Sequence, residues 1–142
     1  MSISESEYER LADAARLGAA HAYCPYSHFR VGAAVLTDDR RIAWGGNVEN
    51  ASYGLTICAE RNAVFQAVTQ SARPTAILAV VIYTPTPEPT APCGACRQVI
   101  NEFGPDAEVR SICDGPLELH LHLHELLPAA FGPRNLASGP DE

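Results

Sequence analysis

Residues 77–83 read ILAVVIY. The run is apolar without alternation, which is how a strand covered on both faces reads. It therefore calls for helices on two sides of a sheet, and the flanking sequence supplies them. Upstream, Ala59, Ala63, Val64, Ala67 and Val68 recur at helical spacing, so a helix is expected up to about Ala72, before Pro74. Downstream, a helix is expected from about Cys93 to Phe103, stopped by Gly104-Pro105. Further out, Val31–Leu36 and Arg41–Trp44 form two strands joined through Asp38-Asp39-Arg40. The first helix spans about 4–22. Ser4 and Glu7 make its capping box, Ile3 staples onto Tyr8, and Pro25 ends it.

Glu108–Cys113 and Leu117–Leu121 read as late strands around an Asp114-Gly115 turn, followed by a short helix at 125–127. The order is helix, two strands, helix, strand, helix, strand, strand. It predicts an α/β domain in which an antiparallel hairpin joins a sheet whose later strands run parallel. One domain over 1–132 is expected, with residues 133–142 a disordered tail.

The 142 residues suffice for one hydrophobic core. No run of about 18 apolar residues is present to span a membrane. The N-terminal MSISESEYER has neither the basic nor the apolar region of a signal peptide, so the cytoplasm is the expected location. A net charge of -7 disfavours a polyanionic nucleic-acid partner and suits a small neutral one. Five cysteines in a chain without a secretory signal argue against a disulfide framework. Cys24 and Cys113 read as buried free thiols.

The other three carry the chemistry. Cys58-Ala59-Glu60 and Pro92-Cys93-Gly94-Ala95-Cys96 both fall at predicted helix starts. Cys93 and Cys96, three apart, share a helical face, and their sulfurs can approach to roughly 4 Å, the edge of a zinc–sulfur tetrahedron. Helix N-termini favour thiolates through their free N–H groups and dipoles. Three protein ligands leave a fourth position open, as catalytic zinc sites do. Glu60, close to the metal without binding it, suits proton transfer. The pattern resembles the three-cysteine form of the zinc-deaminase signature. The alternative is a structural zinc closed by His28 or a late histidine.

His120, His122 and His124 alternate with leucines and would share one face of a strand. They could bind a metal. A half-buried strand with a polar outer face is the commoner reading, and no carboxylate pattern accompanies them. Pro85, Pro87, Pro89 and Pro92 make a stiff connection, either a plain loop or the rim of the site.

The chain resembles the small homotetrameric cytidine deaminases. The matching segments are YCPYSHFRVGAAV (23–35), GGNVENASYGLTICAERNAVFQAV (45–68), PCGACRQVINEFGP (92–105) and ELLPAAFGP (125–133). The resemblance implies a three-layer α/β/α sandwich with a five-stranded mixed sheet and a homotetramer. It implies hydrolysis of cytidine and 2′-deoxycytidine, with Zn²⁺ on Cys58, Cys93 and Cys96. Glu60 would shuttle the proton to ring N3. The amide of Ala59 would hold the cytosine carbonyl, Phe29 would pack on the ring, and Asn47 and Glu49 would bind ribose. Arg61 would offset the thiolate charge. Tyr53 and Phe131 would close a neighbouring subunit's pocket. Each has a plainer reading: turn chemistry for Asn47, core packing for Phe29 and Phe131, an exposed helix position for Arg61. Arg97 and Gln98 belong to the motif without an assigned role. Gly46 stands where some related chains carry another cysteine. A deaminase of a modified cytosine nucleoside, such as blasticidin S, is the alternative.

Overall fold

The computed structural model describes residues 3–137. Helix α1 (Glu5–Ala20) starts on the expected capping box. Ser4 Oγ accepts from the Glu7 amide at 3.1 Å, and Glu7 Oε1 accepts from the Ser4 amide at 3.0 Å. These bonds satisfy two amides that the first helical turn leaves unpaired. The helix stops at His21, ahead of Pro25. Arg30 reaches back there and donates to the carbonyls of Ala19 (3.2 Å) and Ala22 (2.9 Å), placing a cation at the negative end of the helix.

Strands β1 (Gly32–Thr37) and β2 (Ile42–Gly46) form the hairpin. Helix α2 (Ala59–Thr69), strand β3 (Ile77–Tyr83), helix α3 (Gly94–Phe103) and strand β4 (Glu108–Ile112) follow. Strand β5 (Leu119–His122) leads directly into the short helix α4 (Leu123–Leu126). The sheet order is β2-β1-β3-β4-β5. Only β3 and β4 run parallel; β5 is antiparallel to β4, not parallel as expected. The reason is the connection length. α3 supplies a crossover between β3 and β4, whereas the few residues between β4 and β5 permit only a reversal.

The run at 77–83 is buried on both faces as its composition requires. Ala79 and Val81 pack with Tyr8, Leu11 and Ala15 of α1. Val80 and Ile82 pack on the opposite side with Ala63, Val64 and Ala67 of α2 and Ile100 of α3. The result is the three-layer α/β/α sandwich with a five-stranded mixed sheet. α1 lies unusually close to its sheet. A Cβ on Gly32 would sit 1.8 Å from the Ala15 carbonyl oxygen, and one on Gly46 would sit 2.3 Å from that of Gly18. A cysteine at position 46 therefore requires α1 to move.

The tail expected to be disordered begins with a helix, α5 (Pro133–Ala137). Pro133 brings a preset helical φ to its first position, and Asn135 Oδ1 accepts from the Gly132 amide at 2.8 Å. The remainder of that tail, 138–142, lies outside the described residues.

Candidate metal centre and substrate pocket

Two helix starts build the centre. Cys58 and Cys93 are the N-cap residues of α2 and α3, both in extended backbone, and neither uses its side chain to cap. Their sulfurs are thereby free to turn toward a common point, where Cys96 joins them from the first turn of α3. The three sulfurs lie within 4.8 Å of one another. Cys58 Sγ and Cys93 Sγ are 3.8 Å apart, the edge expected of a tetrahedron with Zn–S bonds near 2.3 Å.

The electrostatics call for a cation. Cys58 receives hydrogen bonds from Cys96 and from Arg61, and these lower its pKa to about 5 despite partial burial. Cys96, as the donor in that pair and buried, is pushed up. Hydrogen bonding thus favours thiolate at Cys58 and works against it at buried Cys96. A divalent ion removes the conflict by favouring thiolate at all three. The sulfur-only donor set is what zinc selects, so these residues fit it.

Glu60 occupies the first turn of α2 and is 5% exposed. Burial pushes its carboxyl up to about 7. Arg61 Nη2 donates to Cys58 Sγ at 3.4 Å, and this contact holds the guanidinium in its charged form. The exposed-helix reading of Arg61 is therefore set aside. Ala59, fully buried, carries the first amide of α2, one of those left without an intrahelical acceptor.

The segment before Cys58 is fastened to the same place. Val48 and Ile57 exchange both backbone hydrogen bonds at 3.0 Å, and on the other edge Tyr23 donates to the Asn47 carbonyl at 2.9 Å and accepts from the Glu49 amide at 2.8 Å. Asn47 and Glu49 are thus brought to the entrance of the zinc helix. Their side chains are already engaged. Asn47 Oδ1 accepts from the Val31 amide at 2.9 Å, and its Nδ2 donates to the Phe29 carbonyl at 2.8 Å. Glu49 Oε1 accepts from the amides of Tyr26 (2.9 Å) and Ser27 (3.1 Å), and its Oε2 accepts from the Ser27 hydroxyl. That hydroxyl is the foremost cause of the lowered Glu49 pKa. Both residues brace the 26–31 loop that carries Phe29. Turn chemistry is part of their work, as their residue types suggested.

Phe29 is 42% exposed, Tyr53 75% and Phe131 58%. None is a core residue within one chain, so the core-packing reading of Phe29 and Phe131 is set aside. Tyr53 lies in a 3-10 turn (Tyr53–Leu55), 5.8 Å from the Tyr26 ring. Tyr26, Ser27, Glu49, Asn50, Tyr53 and Thr56 line an open hollow of about 360 Å³.

Residues without an assigned role turn out to be braces. Arg97 donates to the carbonyls of Pro92 (2.8 Å) and Leu126 (2.9 Å), tying the turn before Cys93 to α4. Gln98 and Asn101 both donate to the Phe131 carbonyl, at 2.9 and 3.3 Å. Asn101 did not stand out in the sequence. Its place one turn beyond Gln98 on α3 was the available signal. The Pro-rich connection is not loose: the Asp114 amide donates to the Thr86 carbonyl at 2.9 Å, and Gly115 packs on the Pro87 carbonyl. Cys24 and Cys113 are buried and free, as expected.

The described histidines do not close the thiol cluster, which holds three ligands among the described residues. The family described as the cytidine and deoxycytidylate deaminase zinc-binding region matches residues 5–111. A cytidine deaminase of Halalkalibacterium halodurans is 49% identical over 112 residues, covering 78% of this chain and 83% of its own. One of Mycobacterium tuberculosis is 42% identical over 130 residues, covering 92% and 93%. The crystal structure of cytidine deaminase from Burkholderia pseudomallei superposes with a TM-score of 0.82 at 43% identity, covering 91% of this chain and all of that one.

Proposed function

The chain belongs to the family of zinc-binding cytidine and deoxycytidylate deaminases, and we propose that it hydrolyses cytidine and 2′-deoxycytidine to uridine and 2′-deoxyuridine with release of ammonia. The observation that carries this reading is the three-thiol cluster, with no fourth protein ligand among the described residues and with buried Glu60 on the same helix start.

Cys58, Cys93 and Cys96 would hold zinc, which when bound would supply the Lewis acidity that makes water a nucleophile near neutral pH. Glu60 accepts a proton from that water and passes it to ring N3 as oxygen adds to C4. It then takes the remaining proton from the oxygen added at C4 and gives it to the amine, so that the C4–N bond breaks with release of ammonia and formation of the C4 carbonyl. A carboxyl raised toward neutrality by burial suits both directions of transfer. The Ala59 amide orients the cytosine carbonyl, and Phe29 covers the ring. Asn47 and Glu49 receive the ribose hydroxyls with the hydrogen-bonding capacity left after bracing the 26–31 loop. Arg61 offsets the thiolate charge. The carboxylate of Glu49 disfavours a phosphate at that place, which supports a nucleoside over a nucleotide.

The exposure of Tyr53 and Phe131 supports a homotetramer in which these rings close a neighbour's pocket. Light scattering coupled to gel filtration tests it: a tetramer is expected, and a monomer with full activity would contradict it. A free nucleoside substrate supports a role in pyrimidine salvage, with the cytoplasm as the proposed location. The net charge of -7 supports the absence of a nucleic-acid partner, and no described helix is long and apolar enough to cross a membrane.

The relatives cited are all cytidine deaminases, which disfavours the modified-nucleoside alternative. Assaying zinc-analysed protein on cytidine, 2′-deoxycytidine and blasticidin S tests the reading. Ammonia and uridine should form from cytidine. Preferential turnover of blasticidin S would overturn it.

A further inference from the structure

The late histidines do not act as one set. His120 is taken by Glu108, with Nε2 3.1 Å from Oε2, and the Tyr8 hydroxyl donates to the same carboxylate. His122 ends β5, and His124 lies in the first turn of α4. The chain turns between them, yet their rings stack with centroids 5.4 Å apart and planes within 16°. The carboxylate pattern missing from the sequence is supplied by the fold. Glu125 folds back so that its Oε2 accepts from the His122 amide at 2.7 Å.

We propose that His122, His124 and Glu125 form a second metal site, on the surface and separate from the thiol centre, for a divalent transition ion such as Zn²⁺. Each of the three offers a ligand atom within 4.8 Å of the others. Tetrahedral donors with Zn–N bonds near 2.1 Å stand about 3.4 Å apart. All three side chains are exposed, so small rotations close that difference without disturbing the core. With Oε2 on a backbone amide, Glu125 keeps Oε1 for the ion.

A second observation points the same way. Asp106 Oδ1 lies 3.5 Å from His124 Nδ1. A carboxylate behind one ring nitrogen is how metal-binding imidazoles are commonly oriented, with the other nitrogen left for the ion. Two imidazoles and a carboxylate select zinc, nickel or copper over magnesium or calcium. Bound there, the ion would clamp the end of edge strand β5 to α4.

The test is equilibrium dialysis of the zinc-loaded enzyme against rising Zn²⁺, with bound metal counted per chain. The parent should take up a second equivalent. His124→Ala leaves the His122–Glu125 cap untouched and should weaken that second equivalent by roughly 10–100-fold, at least the loss that removal of an outer-shell partner causes. It should keep the first equivalent and the cytidine turnover. His120→Ala should retain both equivalents. Absence of a second equivalent in the parent, its persistence in His124→Ala, or an equal loss in His120→Ala would overturn the proposal. The metal counts do not depend on the deaminase reading.

Discussion

Arg61 donates from Nη2 to Cys58 Sγ at 3.4 Å, so the residue one turn along α2 neutralises part of the charge that its own N-cap cysteine brings to the centre. Three thiolates around one divalent ion would leave a net negative charge in a partly buried place, and the proposed role of the guanidinium is to offset it. Arg61→Ala is expected to weaken zinc retention by about 10–100-fold, the usual consequence of losing an outer-shell partner. Competition with a chromogenic chelator measures it. Unchanged zinc affinity would remove Arg61 from this role.

Gln98 and Asn101 hold the Phe131 carbonyl from the zinc helix. Gln98→Ala removes the shorter bond, worth about 1 kcal/mol. If Phe131 shapes a pocket, KM for cytidine should rise by about fivefold while zinc content and kcat hold. A fall in kcat at constant KM would place the effect elsewhere.

Ala129 adopts φ 52°, the left-handed region that disfavours side chains. It sits in the turn between α4 and Phe131. Ala129→Gly should stabilise the fold by roughly 0.5–1 kcal/mol, the strain relieved exceeding the entropy glycine adds to the unfolded chain. Thermal or urea unfolding reads the change. A lower midpoint would contradict the conformation.

Asp39 accepts from the Thr37 hydroxyl and from Arg41 Nε in the β1–β2 turn, and these contacts hold its carboxyl at about 2 instead of 3.8. A carboxyl lowered on folding stabilises the native state above the unfolded value, and that contribution is lost as pH falls through the folded value. Asp39→Asn should therefore be less stable than the parent near neutral pH. The gap should narrow as pH falls from 3.8 toward 2. A gap that widens in acid would contradict the assignment.

The central layer was legible from ILAVVIY because burial on both faces removes the alternation that a half-exposed strand keeps. Half of the thiol centre was legible from spacing, because Cys93 and Cys96 are one turn apart; that Cys58, 35 positions from Cys93, joins them came from the deaminase signature. The direction of β5 could have been read from the short connection across Asp114-Gly115, which permits only a reversal. Pairings between distant segments were not legible. The engagement of Asn47 and Glu49 depends on where the 26–31 loop comes to rest. The division of the late histidines depends on the Glu108 carboxylate reaching diagonally to His120 instead of its register partner His122, and on α4 interrupting the strand after His122. Gln98 found its partner 33 positions away, beyond the reach of any spacing rule.

Glu60→Gln tests the proton-shuttle account most directly, with zinc content and cytidine turnover measured on the same preparation. Cys58, Cys93 and Cys96 are untouched, so the variant should carry zinc as the parent does. Turnover should fall by about 10²–10⁴-fold, the range that general acid–base help supplies. A zinc-loaded Glu60→Gln enzyme that deaminates cytidine at the parental rate would contradict the account.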